Sequence, residues 1–378
     1  MKMLVSGSTV RPGRRQERWR VLFLFHGGTI GMRLKVKGEH HYLVPPEDAE
    51  DFRAACESSL ACFHGALDIT FEYVTAKDST NVVPDDWERL AMRVERAQDE
   101  EGYDAVAIAH GTDTLGYSAT ALALALNGPG PETRWLKIPV VLTGAQNTIY
   151  QVGGDGRFNL ENQFRTVLAA LEAGVADVLV NFWHRVLLGC RTTKVTERNF
   201  DAMRSPAFAD VGVIDAFGVH LDKALLARRP EGNEWSSSLA PKFGRGLLAL
   251  EVAPGLEPDL LRRMLGAGGI SSLILKSLGE GNVCSKGTFS LVPVVEYATR
   301  ELRIPVFMTS QFSGGSASGE HYEVGVAAVE AGAIPCYDHT SIASEVKVRW
   351  LMGNGLCTTI EDYTRAMATN FAGEVTLS

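Results

Sequence analysis

Two short apolar runs each end in a glycine turn that carries a threonine, and this pairing limits the folds open to the chain. The first is Val21-Leu22-Phe23-Leu24-Phe25-His26-Gly27-Gly28-Thr29-Ile30-Gly31-Met32. The second is Ala105-Val106-Ala107-Ile108-Ala109-His110-Gly111-Thr112-Asp113-Thr114-Leu115. An unbroken apolar run suits a parallel strand covered on both faces, which has no need of polar alternation. The glycines that follow let the backbone turn sharply or approach a ligand closely. Ligands in open α/β sheets lie at the carboxyl ends of the strands, so both runs are expected to present a threonine hydroxyl where chemistry takes place.

The same rhythm continues along the chain. Strand-like runs at 69–75, 138–143 and 177–182 alternate with helical patterns. In 86–98, Trp87, Leu90, Ala91 and Val94 share one helical face, and 118–126 is rich in alanine and leucine. Such β–α alternation predicts a doubly wound, mostly parallel sheet. The stretch 216–244 contains Arg228-Arg229-Pro230-Glu231-Gly232-Asn233-Glu234-Trp235-Ser236-Ser237-Ser238, which is polar and without periodicity, and reads as a linker. The rhythm then restarts with strands at 247–252, 272–278 and 305–309 and helices at 259–265, 290–301 and 340–352. The expectation is an α/β protein of two domains: a larger one at 20–215 and a smaller Rossmann- or flavodoxin-like one at 245–378. Residues 1–19, with Arg11, Arg14, Arg15 and Arg18, read as a flexible tail.

A length of 378 residues accommodates two such domains. The net charge of −8 argues against nucleic acid or an anionic membrane as partner. No apolar stretch approaches the roughly 18–20 residues of a membrane span. The run from Val21 to Phe25 is too short for a signal-peptide core, so the cytoplasm is the expected compartment. Cys56, Cys62, Cys190, Cys284, Cys336 and Cys357 are scattered, without metal-ligand spacing, and are expected as free thiols.

A threonine hydroxyl is a poor nucleophile until a base takes its proton. Thr112 has Asp113 beside it. Further on, Asn181-Phe182-Trp183-His184-Arg185-Val186-Leu187-Leu188-Gly189-Cys190-Arg191-Thr192-Thr193-Lys194 carries a strand into a second polar loop ending in lysine. A Thr–Lys–Asp set follows the logic of Ser–His–Asp, with nucleophile, base and orienting carboxylate. A lysine serves as base only where its surroundings depress its pKa.

His26-Gly27-Gly28-Thr29-Ile30-Gly31-Met32 and His110-Gly111-Thr112-Asp113-Thr114 resemble the two signatures of the L-asparaginases, and Arg191-Thr192-Thr193-Lys194 resembles the segment holding that family's catalytic lysine. Asp78-Ser79, Thr143-Gly144-Ala145-Gln146, Asp155-Gly156-Arg157-Phe158-Asn159-Leu160, Gly279-Glu280-Gly281-Asn282 and the tail Asn370-Phe371-Ala372-Gly373-Glu374-Val375-Thr376 agree in order and spacing. The bacterial cytosolic (type I) branch is the most similar. The resemblance implies hydrolysis of the L-asparagine side-chain amide to L-aspartate and ammonia, with no cofactor and no metal. It implies Thr29 as the nucleophile of an acyl-enzyme, Tyr42 as a lid tyrosine assisting it, and Thr112, Asp113 and Lys194 as a second triad. Asp78 and Ser79 would hold the substrate's α-carboxylate and α-amino groups. Backbone at Thr112 and Ala145, next to Gln146, would line the amide and oxyanion region. Glu280 and Asn282 would meet the site of a neighbouring subunit in a homodimer or homotetramer. His26 and His110 are expected to hydrogen-bond backbone.

The segment 33–44 reads as polar and without strand or helix periodicity, a mobile lid over Thr29. Some cytosolic relatives carry a regulatory asparagine site near Thr193 and an arginine. That arginine is Lys276 here, and the strand end that usually carries a cysteine reads Thr309-Ser310-Gln311-Phe312. Lysine lacks arginine's bidentate fork and phenylalanine fills space, which speaks against allosteric control. Two other readings compete. One is an amidase subunit releasing ammonia for a tRNA amidotransferase, which would carry an additional N-terminal domain. The other is a catalytically silent amino-acid sensor, for which a lysine base has no use.

Overall fold

The computed structural model describes residues 18–127, 136–227 and 239–376. The basic cluster before Arg18 and the polar run 228–238 lie outside the described residues.

The chain starts with β1 (Trp19–His26), a hairpin of β2 (Arg33–Lys37) and β3 (His40–Val44), α1 (Ala49–Leu60) and β4 (Leu67–Thr75). Then come α2 (Pro84–Asp99), β5 (Ala105–His110), α3 (Leu115–Asn127), β6 (Val140–Thr143), α4 (Gly156–Ala173) and β7 (Val178–Phe182). β8 (Arg185–Leu188) turns back along β7, followed by the short pair β9 (Thr193–Lys194) and β10 (Met203–Arg204) and by β11 (Gly212–Ile214) and β12 (Val219–Leu221). The large sheet has the order β12-β11-β8-β7-β6-β5-β1-β4. Its β4, β1, β5, β6 and β7 are parallel, while β8 and β12 run antiparallel to their neighbours.

The smaller domain contains β13 (Leu247–Glu251), α5 (Pro258–Gly266), β14 (Ser272–Ser277), α6 (Val292–Glu296), β15 (Val306–Ser310), α7 (Glu323–Glu330), β16 (Ile334–Pro335), α8 (Ser341–Gly353) and α9 (Ile360–Met367). Its four strands are parallel and in chain order. The α/β architecture read from the apolar runs is therefore present in both halves.

The apolar runs are buried for the reason anticipated: Val21 to Phe25 and Ala105 to Ala109 are wholly inaccessible. Phe23 meets Phe52, Phe71 and Phe164 at ring-centroid distances of 5.0, 5.4 and 5.1 Å, pinning α1 and α4 onto the β1 face. α3 is buried along nearly its whole length, as a helix apolar on all sides must be. It packs on the large sheet and on α8, so one continuous core joins the two domains.

Three local readings are corrected. Residues 33–44 form a regular antiparallel hairpin with Lys37 opposite His40. Gly38 takes φ +62°, as the first position of a two-residue type II′ turn requires. Leu34 and Val36 do alternate with lysine and arginine, but both are more than half exposed, so the alternation marks a free-standing ribbon with no core face. The polar loop expected after β7 begins instead with β8, entered through Trp183 at φ +54°. Within 216–244, Val219–Leu221 extends the large sheet.

Candidate active site

The register places His26 level with His110 of β5 and Thr75 of β4, so three strands end together. Their loops then touch through glycine. Gly27 and Gly28 take φ +83° and +93°, and a Cβ on Gly28 would lie 2.5 Å from the Gly111 Cα. A Cβ on Gly111 would in turn lie 2.5 Å from the Ser79 hydroxyl. The residues at 27–31, 77–81 and 111–114 are thus fused at one point, with Thr29, Ser79 and Thr112 around it. Thr29 opens a single 3₁₀ turn, Thr29–Gly31. The Ile30 carbonyl of this turn accepts the Ile149 amide at 3.0 Å.

Lys194 arrives from the far side of the sheet. β8 ends at the amino edge of β7, and residues 189–192 then run back along α3. Gly189 packs on Ala119, and the Thr192 carbonyl lies where a Cβ on Gly116 would come within 2.5 Å. This route delivers the Lys194 Nζ to 2.8 Å from the Thr112 Oγ1 and 2.6 Å from an Asp113 carboxylate oxygen. Thr112, Asp113 and Lys194 therefore form one hydrogen-bonded group. The Lys194 amine donates to both partners. Once it has lost its own proton, an amine so placed can accept the threonine proton, while the carboxylate steadies the ammonium that results.

His26 and His110 stack with ring centroids 5.0 Å apart. Burial pushes the His110 imidazole down to about 4 and the His26 imidazole to about 3. His110 Nδ1 donates to the Gly111 carbonyl at 2.8 Å, and its Nε2 accepts from the Ser118 hydroxyl at 2.9 Å. The His110 ring is thus a neutral strut beneath the turn.

Asp78 caps the turn Ser79–Asn81. The Thr80 amide and hydroxyl, at 2.9 and 2.8 Å, hold its carboxyl below the ordinary range. Both bonds fall on Oδ1. The Thr114 hydroxyl donates to the Ser79 carbonyl at 2.8 Å, tying this turn to the Thr112 loop. Ala145 is buried, and a Cβ on Gly144 before it would lie 3.2 Å from the Thr112 Cγ2. The Gln146 amide is held by Asp155 at 2.9 Å and its side chain donates to the Thr196 carbonyl at 3.1 Å. Sequence reasoning missed Asp86, whose carboxylate accepts from Lys77 at 2.8 and 2.9 Å and from the Val83 amide at 2.9 Å. Burial raises the Asp86 carboxyl, but Lys77, Val83 and Arg89 outweigh it and keep it below the ordinary range. This carboxylate braces the 77–79 loop, and its only sequence signal is an aspartate in the first turn of α2.

Three expected residues stand apart from this group. Tyr42 lies on the exposed hairpin, 43% accessible and opposite Lys35, and no hydrogen bond among the described residues joins it to Thr29. Glu280 and Asn282 follow β14 in the smaller domain. A Glu280 carboxylate oxygen lies 3.1 Å from His321 Nδ1, and the Asn282 backbone bridges to Leu278. Thr193, Lys276 and Phe312 line a cavity of about 240 Å³ between the domains. There Lys276 is bound to Glu345 at 2.8 Å.

Two family models match the chain: the N-terminal asparaginase domain over residues 20–226, and the C-terminal glutaminase/asparaginase domain over residues 248–367. The chain belongs to the asparaginase family. It is 31% identical over 355 residues to L-asparaginase 1 of Escherichia coli, covering 93% of this chain and 96% of that one. The solved thermostable L-asparaginase of Thermococcus kodakarensis superposes with a TM-score of 0.79 at 30% identity, over 95% of this chain and all of that one. A glutamyl-tRNA(Gln) amidotransferase subunit of the same organism is 28% identical over 94% of this chain and 76% of its own length. This asparaginase-family chain has, among the described residues, no helix long and apolar enough to cross a membrane.

Proposed function

We propose that the chain hydrolyses the side-chain amide of L-asparagine to L-aspartate and ammonia in the cytoplasm. The observation that carries this reading is the Lys194 amine within hydrogen-bond reach of both Thr112 and Asp113, beside a second threonine turn. The named L-asparaginase relatives support the choice of amide.

In this mechanism the Thr29 oxygen attacks the amide carbonyl, its proton passes to the departing nitrogen, and ammonia leaves an acyl-enzyme ester. Water then cleaves the ester to aspartate and restores Thr29. Lys194 acts as base for these proton transfers through Thr112, with Asp113 as the orienting carboxylate. Backbone amides around Thr112 and Ala145 stabilise the oxyanion. Asp78 takes the substrate's ammonium and Ser79 its α-carboxylate. The hairpin closes to bring Tyr42 to Thr29. The active species is a homodimer or homotetramer, in which the loop of Glu280 and Asn282 borders a neighbouring site.

The likeness to an amidotransferase component favours one other reading, release of ammonia from an amide for a tRNA partner. Ammonia release measured with L-asparagine, L-glutamine and D-asparagine, without added metal or nucleotide, separates the two. L-Asparagine turned over well ahead of glutamine supports the hydrolase. Turnover that appears only with tRNA and a partner protein favours the amidotransferase, and binding without release favours an amino-acid sensor.

A further inference from the structure

The segment from Asn370 to Thr376 has its partners at the root of the loop that delivers Lys194. Arg191 is 1% exposed. Its Nε donates to the Gly373 carbonyl at 2.6 Å and one terminal nitrogen to the Thr376 hydroxyl at 3.0 Å. The other terminal nitrogen reaches the Asp338 carbonyl at 3.2 Å and its carboxylate at 2.9 Å. The Thr376 amide closes the circuit on the second Asp338 oxygen at 2.9 Å. Beside it, the Cys190 thiol donates to the Ala372 carbonyl at 3.2 Å. Gly373 sits at φ +93° where a Cβ would be 2.5 Å from Leu188.

The tail has its own anchor. It winds around the Glu374 carboxylate, which accepts the Phe371 and Ala372 amides and pairs with Lys347 at 2.7 Å, both side chains being fully buried. Arg191 therefore grips a rigid object built from the smaller domain.

Between Arg191 and Lys194 the backbone lies against α3, with the Thr192 carbonyl at Gly116 and the Thr192 amide donating to the Gly189 carbonyl at 3.3 Å. The Thr192 hydroxyl bonds to the Leu188 carbonyl at 2.9 Å, and β9 is two residues long, paired with β10. A strand that short takes its position from its ends. The lysine stem is flexible, so the backbone must hold the Nζ within reach of two partners at once.

We propose that Arg191, through the tail it grips, is a positioning residue for Lys194, setting the level of β9 at which the amine meets Thr112 and Asp113. The proposal rests on the reading of Lys194 as catalytic. Lysine at position 191 keeps the charge and loses the fork of donors that binds Gly373, Asp338 and Thr376 together.

The test compares kcat and KM for ammonia release in Arg191→Lys, Thr376→Val, Lys194→Met and the Arg191→Lys/Lys194→Met double variant, using the amide that the unmodified chain hydrolyses. Displacement of a reacting group by ~1 Å costs ~100-fold. Arg191→Lys is therefore expected to lower kcat by about 30- to 100-fold with KM changed less than about threefold. In the Lys194→Met background the same change should add less than about threefold, because the residue it positions is gone. A full multiplicative loss in that background overturns this proposal alone. Lys194→Met with unimpaired kcat overturns the catalytic reading of Lys194 and this proposal with it. If Arg191→Lys does not fold, Thr376→Val in the two backgrounds makes the same comparison.

Discussion

Gly28 and Gly111 meet backbone to backbone: a Cβ on the first would stand 2.5 Å from the Cα of the second. The two threonine turns are therefore joined in one cluster, held at a spacing that any side chain would break. Gly28→Ala combines strain at φ +93° with overpacking and is expected to cost about 3 kcal/mol or more and to abolish ammonia release. Gly38→Ala, at φ +62° with nothing within 4 Å, should cost about 1–2 kcal/mol. Thermal unfolding of both variants checks the contrast, and equal losses would argue against the contact.

The Thr112–Lys194 bond at 2.8 Å joins these residues in one hydrogen-bonded group, which the proposed mechanism uses as a unit. Lys194→Met and Thr112→Ala are each expected to lower turnover by about 10³-fold or more, and together little further. Steady-state ammonia release measures this. Strictly multiplicative losses would show that the two act apart.

His110 supplies a pH dependence of stability. Its ordinary value is 6.5, and in the fold it is pushed down to about 4. Between those values the unfolded chain takes up a proton that the folded chain refuses. Stability is therefore full above 6.5 and falls as pH drops through this window, by up to about 3 kcal/mol. Urea unfolding from pH 7 to 4 should show the decline, and His110→Gln should make it shallower. An unchanged slope would exclude His110 as its source.

The hairpin is expected to move with ligand. Cleavage between Arg33 and Tyr42 by a protease specific for lysine and arginine should be slowed by saturating L-aspartate. Equal rates with and without aspartate would rule out closure of this ribbon over Thr29.

The parallel strands β1, β5, β6, β7, β14 and β15 were legible because a parallel strand buried on both faces needs an unbroken apolar run, and that is a property of the run itself. The short strands β8 to β12 and β16 were not. Thr29, Thr112 and Asp113 were legible for the same kind of reason, since they sit in the turns that end such runs. The hairpin was not. Leu34 and Val36 alternate correctly, but with no core face to fill they gave too weak a pattern. Asp86 was hidden because an aspartate at the start of a helix is ordinarily a cap, and only the approach of Lys77 gives it a second task.

The sequence by itself determined where the chain turns and which hydroxyls those turns present, since apolar runs and glycines at positive φ act through their own residues. Tertiary structure decided which of these groups meet. Lys194 stands 81 residues from Asp113, and Arg191 stands 185 from Thr376. Their contacts exist because α3 is buried between two domains and lacks a side chain at Gly116, allowing the 189–192 segment to pass close by. That coincidence of packing leaves no periodic trace along the chain, because it depends on the closeness of surfaces that only the folded core brings together.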